Sequence, residues 1–199
     1  MMVDRSSLDR TVELLRDDVM PALMDIDGCV GLSGLIDRES GRCIATSAWE
    51  SLEAMRASEG QVTPVRNRVI STVGGRESLV QEWEIPVMHR AHPAPDGAGA
   101  RVSWLQGAPA NVANAIESFR MIMPELDDLP GFCSASLLIN RDTGQAVSTV
   151  IYESSEAVAR TREIAQGLRR RVAEQTKAEV LDIAEFELAL AHLRVPELV

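Results

Sequence analysis

Ile36-Asp37-Arg38-Glu39-Ser40-Gly41 and Ile139-Asn140-Arg141-Asp142-Thr143-Gly144 are one turn sequence written twice, at a constant offset of 103 residues from Ile36 to Ile139. Moving outward at that offset, Asp25 and Gly28 fall on Asp128 and Gly131, and Met20-Pro21 with Leu23 fall on Met123-Pro124 with Leu126. Downstream, Trp49-Glu50-Ser51-Leu52-Glu53-Ala54 matches Tyr152-Glu153-Ser154-Ser155-Glu156-Ala157, and Arg66, Arg68 and Val69 match Arg169, Arg171 and Val172. Near the end, Glu82-Trp83-Glu84 and His89 match Glu185-Phe186-Glu187 and His192. Correspondence over this span without a gap reads as a duplication. The Pro/Gly/Ala-rich stretch Ala91-His92-Pro93-Ala94-Pro95-Asp96-Gly97-Ala98-Gly99-Ala100 has the composition of a linker, so the expected copies are 1–90 and 101–199, joined by 91–100.

Each copy reads helix, hairpin, helix, strand. In the second, Val112, Ala115, Ile116, Phe119, Ile122 and Met123 share one face of a helix expected over Asn111–Leu126, which Pro130-Gly131 stops. Phe132–Ile139 and Ala146–Tyr152 read as the two strands of a hairpin around the duplicated turn. Ser51 and Ser154 stand where a helix needs an N-cap, and Glu53 and Glu156 suit its positive end. The last strand, Val180–His192, places Ala184, Phe186, Leu188 and Leu190 on one face and Glu185 and Glu187 on the other. Arg101-Val102-Ser103-Trp104-Leu105-Gln106 opens the second copy as a strand, which makes it β-α-β-β-α-β, the ferredoxin-like order. The first copy lacks this opening strand, because its counterpart would lie before Met1. Either Met1–Asp4 fills that edge in part or the natural start lies upstream. The expected fold class is α+β, two tandem ferredoxin-like repeats packed as a pseudo-dimer within one chain.

Composition narrows the function classes. The 199 residues carry 20 Lys and Arg against 30 Asp and Glu, a formal charge of -10. A chain of that charge is repelled by phosphate backbones and anionic lipid, so neither nucleic acid nor membrane is an expected partner. Arg169-Arg170-Arg171, the one basic cluster, reads as a solvated helix face. No apolar run approaches a membrane span and the N-terminus lacks a secretory profile, which reads as cytoplasmic. Cys29, Cys43 and Cys133 show no ligand spacing and read as reduced, mostly buried small hydrophobes. Three histidines without a recognisable third ligand give no metal site.

The helix ending in Asp27-Gly28 or Pro130-Gly131, the Asp-Arg or Asn-Arg hairpin turn, and the junction Trp49-Glu50-Ser51-Leu52-Glu53-Ala54 together resemble the antibiotic biosynthesis monooxygenase domain of the dimeric α/β-barrel superfamily. The junction is similar to that family's Trp-x-Ser-x-Glu-Ala pattern. The resemblance covers nearly the whole chain and implies that two fused copies supply the barrel halves a homodimer usually provides, with a pocket between the helices and the sheet of each. It also implies a monooxygenase, independent of any cofactor, acting on a phenolic or quinone-like small molecule. A second reading is a non-catalytic member that binds a small apolar ligand or scaffolds a homo-oligomer. Where many members carry a helix histidine, this chain has Ser58 and Thr161, which disfavours haem degradation.

The duplicated aromatics Trp49 with Tyr152 and Trp83 with Phe186 are the candidate substrate-binding walls, and core filling is the competing reading. His89 and His192 are the candidate catalytic bases, since each continues the strand alternation of Trp83, Ile85 and Val87 or of Phe186, Leu188 and Leu190. The opposing reading is a strand-end histidine, exposed or bonded to a loop. Glu82, Glu84, Glu185 and Glu187 are expected to pair with Arg38, Arg66, Arg141 and Arg169 in a seam between copies.

Overall fold

In a computed structural model, which describes residues 1–76 and 78–198, both copies of the turn close hairpins. Strand β1 (Cys29–Ile36) pairs antiparallel with β2 (Cys43–Trp49). The Gly41 amide donates to the Asp37 carbonyl and the Asp37 amide to that of Arg42, and in the second hairpin the Gly144 amide donates to the Asn140 carbonyl and the Asn140 amide to that of Gln145. Each hairpin is followed by a helix capped as the sequence requires. The Ser51 hydroxyl accepts from the Ala54 amide at 3.1 Å and the Ser154 hydroxyl from the Ala157 amide at 3.2 Å. The glycine that ends the preceding helix serves the same junction. Gly28 and Gly131 sit at φ 78° and 77°, and a Cβ on either would lie within 2.6 or 2.9 Å of the Cβ of Ala54 or Ala157. Only glycine relieves both the left-handed backbone and that contact.

The chain divides into two units. The first comprises Met1–Val80 and Glu187–Val195, and the second comprises Gln81–Phe186 with the C-terminal residues from Pro196. In the second unit, β3 (Glu84–Arg90) precedes β4 (Gly99–Gln106), so residues 91–98 form the connection and β4 begins inside the expected linker. Helices α5 (Val112–Met121) and α6 (Met123–Asp127) replace the single expected helix. They are interrupted at Ile122, just before Pro124, whose ring cannot continue a helical ladder. There follow β5 (Phe132–Ile139), β6 (Gln145–Tyr152), α7 (Ser155–Arg160), α8 (Arg162–Thr176) and β7 (Glu179–Leu193), of which residues 179–186 belong to this unit. The strand order is β7-β4-β6-β5-β3. Without β3 it is the 4-1-3-2 arrangement of a ferredoxin-like unit, an α+β fold with helices on one sheet face. Val112, Ile116, Phe119, Leu126 and Leu168 from the helices pack there on Leu137, Ile139, Ala146 and Tyr152 from the strands.

In the first unit, α1 (Leu8–Leu14) runs through a π-helical turn over Leu15–Val19 into α2 (Met20–Met24), and α3 (Leu52–Ala57) leads into α4 (Glu59–Thr72). The sheet order is β2-β1-β7, using residues 187–193 of β7. Met1–Val3 lie beside the start of β2: the Val3 amide donates to the Gly41 carbonyl and the Cys43 amide to that of Met1, both at 2.9 Å. Among the described residues, no helix is long and apolar enough to cross a membrane.

Two irregularities correct the expected strand alternation. Between Glu84 and Val87, β3 advances three residues while β5 advances two, from Ile139 to Leu137. Between Leu188 and Leu190, β7 advances two while β1 advances one. Each is a bulge, and in β3 it contains Pro86, which has no amide to give a ladder. Past the extra residue the alternation inverts. His89 therefore shares a face with Glu84 rather than continuing from Trp83, and His192 shares a face with Glu187 and Leu190 rather than with Leu188.

Candidate ligand cavity

Strand alternation aims Arg101, Ser103 and Leu105 of β4 and Ala146, Ser148, Val150 and Tyr152 of β6 at the helices of the second unit, and these side chains line a cavity. Its roof is Val112, Ala115 and Phe119 from α5 and Ala165, Leu168, Arg169 and Val172 from α8. The space open to the centres of water-sized molecules is about 80 Å³. At the ~10–15 Å³ a single water needs on that measure, it is large enough for roughly one or two fused rings.

The walls are mostly apolar, with Ser103, Ser148, Asn111 and Thr176 among them. Tyr152, 0% exposed, carries a buried hydroxyl with no hydrogen-bond partner among the described residues. An orphaned hydroxyl in a folded interior is uncommon and costs about 1–3 kcal/mol. Burial raises the phenol's pKa above its ordinary value, against weaker lowering by the Thr161 hydroxyl and the Arg101 guanidinium, which stand near the phenol oxygen but outside hydrogen-bonding geometry, so it is a proton donor at neutral pH. Arg101, 4% exposed, lies with its guanidinium 5.7 Å from the centre of the Tyr152 ring. Its hydrogen bonds go to the Val158 carbonyl, the Thr161 hydroxyl at 3.3 Å and the Glu185 carboxylate at 3.1 Å. Glu185 is shared with Arg162 at 2.5 Å. Arg169, half-buried, has neither a hydrogen bond nor an ion pair among the described residues. Desolvation and the Arg101 charge both lower its pKa from the ordinary value. Among the described residues, no carboxylate or imidazole lines the cavity. The site can therefore bind, orient and stabilise negative charge.

Of the candidate substrate-binding and catalytic residues, only Tyr152 lines this cavity. Phe186 is buried and meets Trp104 edge-on at 6.4 Å; Trp104 alternates with the cavity-lining residues of β4 and points to the opposite face. Trp83 is half-buried ahead of β3. Trp49, in the first unit, donates to the Ser47 hydroxyl at 3.2 Å and packs with Met1, Met20, Val62 and Val65 around Val19, Leu23 and Val69. His192 is half-buried on β7 opposite Leu32.

His89 stacks over Phe132, and both its ring nitrogens are taken, Nε2 by Asp127 at 2.8 Å and Nδ1 by Glu197 at 2.5 Å. Burial pulls its pKa down, but the two carboxylates outweigh that and raise it. A histidine with both ring nitrogens bound to carboxylates is a poor general base, and it stands outside the cavity. The glutamate pairing expected from sequence forms in two of four cases. Arg38 binds Glu187 and Arg141 binds Glu84, each at 2.6 Å, while Glu185 takes Arg101 and Arg162 instead of Arg66 or Arg169. The cysteines are free thiols, and burial pushes that of Cys133 up to about 11, with Glu153 adding to it. It is no nucleophile at neutral pH.

Sequence reasoning missed Arg101 and the hydroxyl of Thr161, and gave Arg169 only as a glutamate partner or part of a solvated face. The signal was present: Arg101 interrupts an apolar strand at an inward position, and Arg169 falls on the helix stripe of Ala165, Leu168 and Val172. The basic cluster is thus only partly a solvated face, with Arg170 and Arg171 exposed and Arg169 turned in.

An antiparallel sheet of ferredoxin type, with a ring-sized cavity under its helices, defines the class of protein, and sequence comparison supplies the family. The uncharacterized protein Rv2558 of Mycobacterium tuberculosis (strain ATCC 25618 / H37Rv) is 52% identical over 195 residues, which span 97% of this chain and 82% of that protein. The uncharacterized protein Rv2557 of the same strain is 49% identical over 193 residues, spanning 96% and 86%. The chain belongs to the family of these mycobacterial proteins. No protein-family model matches it. Among solved structures, a candidate monooxygenase of Lactobacillus acidophilus NCFM is similar with a TM-score of 0.67 at 14% identity, covering 98% of this chain and 93% of its own. An anthrone oxidase-like protein is similar with a TM-score of 0.66 at 12% identity, covering 93% and 87%. Identities this low speak for the fold alone.

Proposed function

We propose that this is a monooxygenase-like protein whose second unit takes a small phenolic or quinone-like molecule into the cavity under α5 and α8, with Tyr152 as its polar wall. The buried, unpartnered Tyr152 hydroxyl facing a largely apolar space carries this reading, because a ligand oxygen would supply the missing partner. The names of similarly folded proteins, a candidate monooxygenase and an anthrone oxidase-like protein, support the choice of chemistry.

The same proposal holds that the chain is a tandem pseudo-dimer. Supporting it, β1 meets β7 and β5 meets β3 in matching register: Gly34 with Leu190 and Ser33 with Ala191 in one, Leu137 with Val87 and Ser136 with Met88 in the other. Arg38–Glu187 and Arg141–Glu84 are likewise exchanged by the offset of the repeat. An exchange of this kind is what a duplicated, two-fold arrangement would produce.

A second reading, a binder without catalysis, is favoured by the absence of a carboxylate or imidazole from the lining. One experiment separates them. The protein is titrated calorimetrically with 1,4-naphthoquinol under argon, and oxygen uptake is followed in air above the rate of autoxidation. Saturable binding, abolished when Ser148→Phe fills the cavity, together with protein-dependent uptake supports the enzyme. Binding without uptake supports the binder. No difference between the native protein and Ser148→Phe overturns both.

A further inference from the structure

The cavity holds more positive charge than its phenolic reading needs. Arg101 and Arg169 line it, and among the described residues the one carboxylate bound to either is Glu185, which Arg101 shares with the exposed Arg162 outside the lining. The guanidinium of Arg169 is thus left without a carboxylate, in a chain whose formal charge is -10. Arg101 is committed through the Val158 carbonyl, the Thr161 hydroxyl and Glu185. Among the described residues Arg169 is not committed to any partner, although it lines the same largely apolar space as the unpartnered Tyr152 hydroxyl.

A neutral ring entering this space would satisfy the hydroxyl but strip water from a guanidinium that has no counter-charge, an unfavourable exchange. A ligand carrying its own negative charge removes both faults. A planar carboxylate suits the guanidinium fork and leaves an oxygen free to accept from a phenol. The space limits the rest of the ligand to one or two rings.

We infer that the cavity is a site for a small aromatic carboxylate, of one or two rings, whose carboxylate pairs with Arg169 and accepts a hydrogen bond from Tyr152 while its ring lies against Phe119 and Leu168. This deepens the reading of the cavity as a ligand site and rests on it.

The test uses 2-naphthoate and 2-naphthol, which have the same ring system and differ in charge at pH 7. Both are titrated calorimetrically into the native protein, Arg169→Gln, Arg169→Lys and Ser148→Phe. The expected result is that 2-naphthoate binds the native protein at least tenfold more tightly than 2-naphthol. Arg169→Gln should remove that preference, and Arg169→Lys should keep most of it. Equal affinity for the two compounds in the native protein, or an unchanged preference in Arg169→Gln, overturns the anion site while leaving the cavity reading standing. Binding of neither compound, or binding that survives Ser148→Phe, overturns the cavity reading and the anion site with it.

Discussion

Replacing Tyr152 by Phe removes one oxygen atom and should make the unliganded protein more stable. The hydroxyl is fully buried and without a partner, so folding strips its water and returns no hydrogen bond. Leaving such a group unsatisfied costs about 1–3 kcal/mol, and an apolar replacement of the same shape recovers much of that. The ring stays in place beneath Arg101, so the cation–π contact is retained. A net gain of about 1–2 kcal/mol corresponds to a rise in Tm of roughly 2–8 °C for a chain of this size. Binding should move the other way. A hydrogen bond to a charged acceptor is worth about 1.5–3 kcal/mol, so affinity for 2-naphthoate should fall on the order of tenfold to a hundredfold. Thermal melts by circular dichroism, with and without saturating 2-naphthoate, read both effects in one series. A Tm lower than that of the native protein would refute the reasoning, because it would mean that water inside the cavity already satisfies the hydroxyl. A stability cost retained for ligand capture is the usual pattern at functional sites.

Other perturbations test the scaffold. Gly31 has φ 142° and a Cβ there would lie 2.0 Å from the His192 carbonyl oxygen, so Gly31→Ala should cost more than about 2 kcal/mol and expose the Ala191–Leu193 amides to hydrogen exchange. Ser154→Ala removes the α7 cap and should destabilise by about 1 kcal/mol in urea unfolding, with Ser154→Asp restoring most of it. His89 has its pKa raised in the folded state by Asp127 and Glu197. Its contribution to stability is therefore full below about pH 6.5, the unfolded value, and is lost as pH rises through the folded one. Urea titrations across that range should show the slope, and His89→Gln should flatten it.

Much of the scaffold was legible because its signals are local. Phe132–Ile139 was read to the residue, and Ser51 and Ser154 are caps because each precedes a helix whose third amide needs an acceptor. The site was less legible because it depends on which way individual side chains face. The bulges beside Pro86 and Ala189 invert the alternation on which the case for His89 and His192 rested, and a bulge leaves no periodic mark in a single sequence. Tyr152 was found through its duplication, yet its partner position Trp49 went into packing, because Met1 and Met20 fill in around it. Identical offsets therefore did not predict identical roles. Arg169 was hidden among two exposed neighbours, and only its place on the apolar stripe of α8 distinguishes it.

Strand β7 has a consequence for how the protein is made. Its residues 187–193 complete the first unit, in which Arg38 meets Glu187 across 149 positions of sequence. At about 5–20 residues per second, a ribosome delivers that partner roughly 7–30 s after β1 has emerged. Throughout that interval β1 and β2 are a lone hairpin with one flank open, the condition in which nascent chains recruit chaperones or pair with a neighbour on the same message. The first unit to be translated is thus among the last to be finished, and a stop codon after Phe186 would strip it of a strand while sparing most of the cavity.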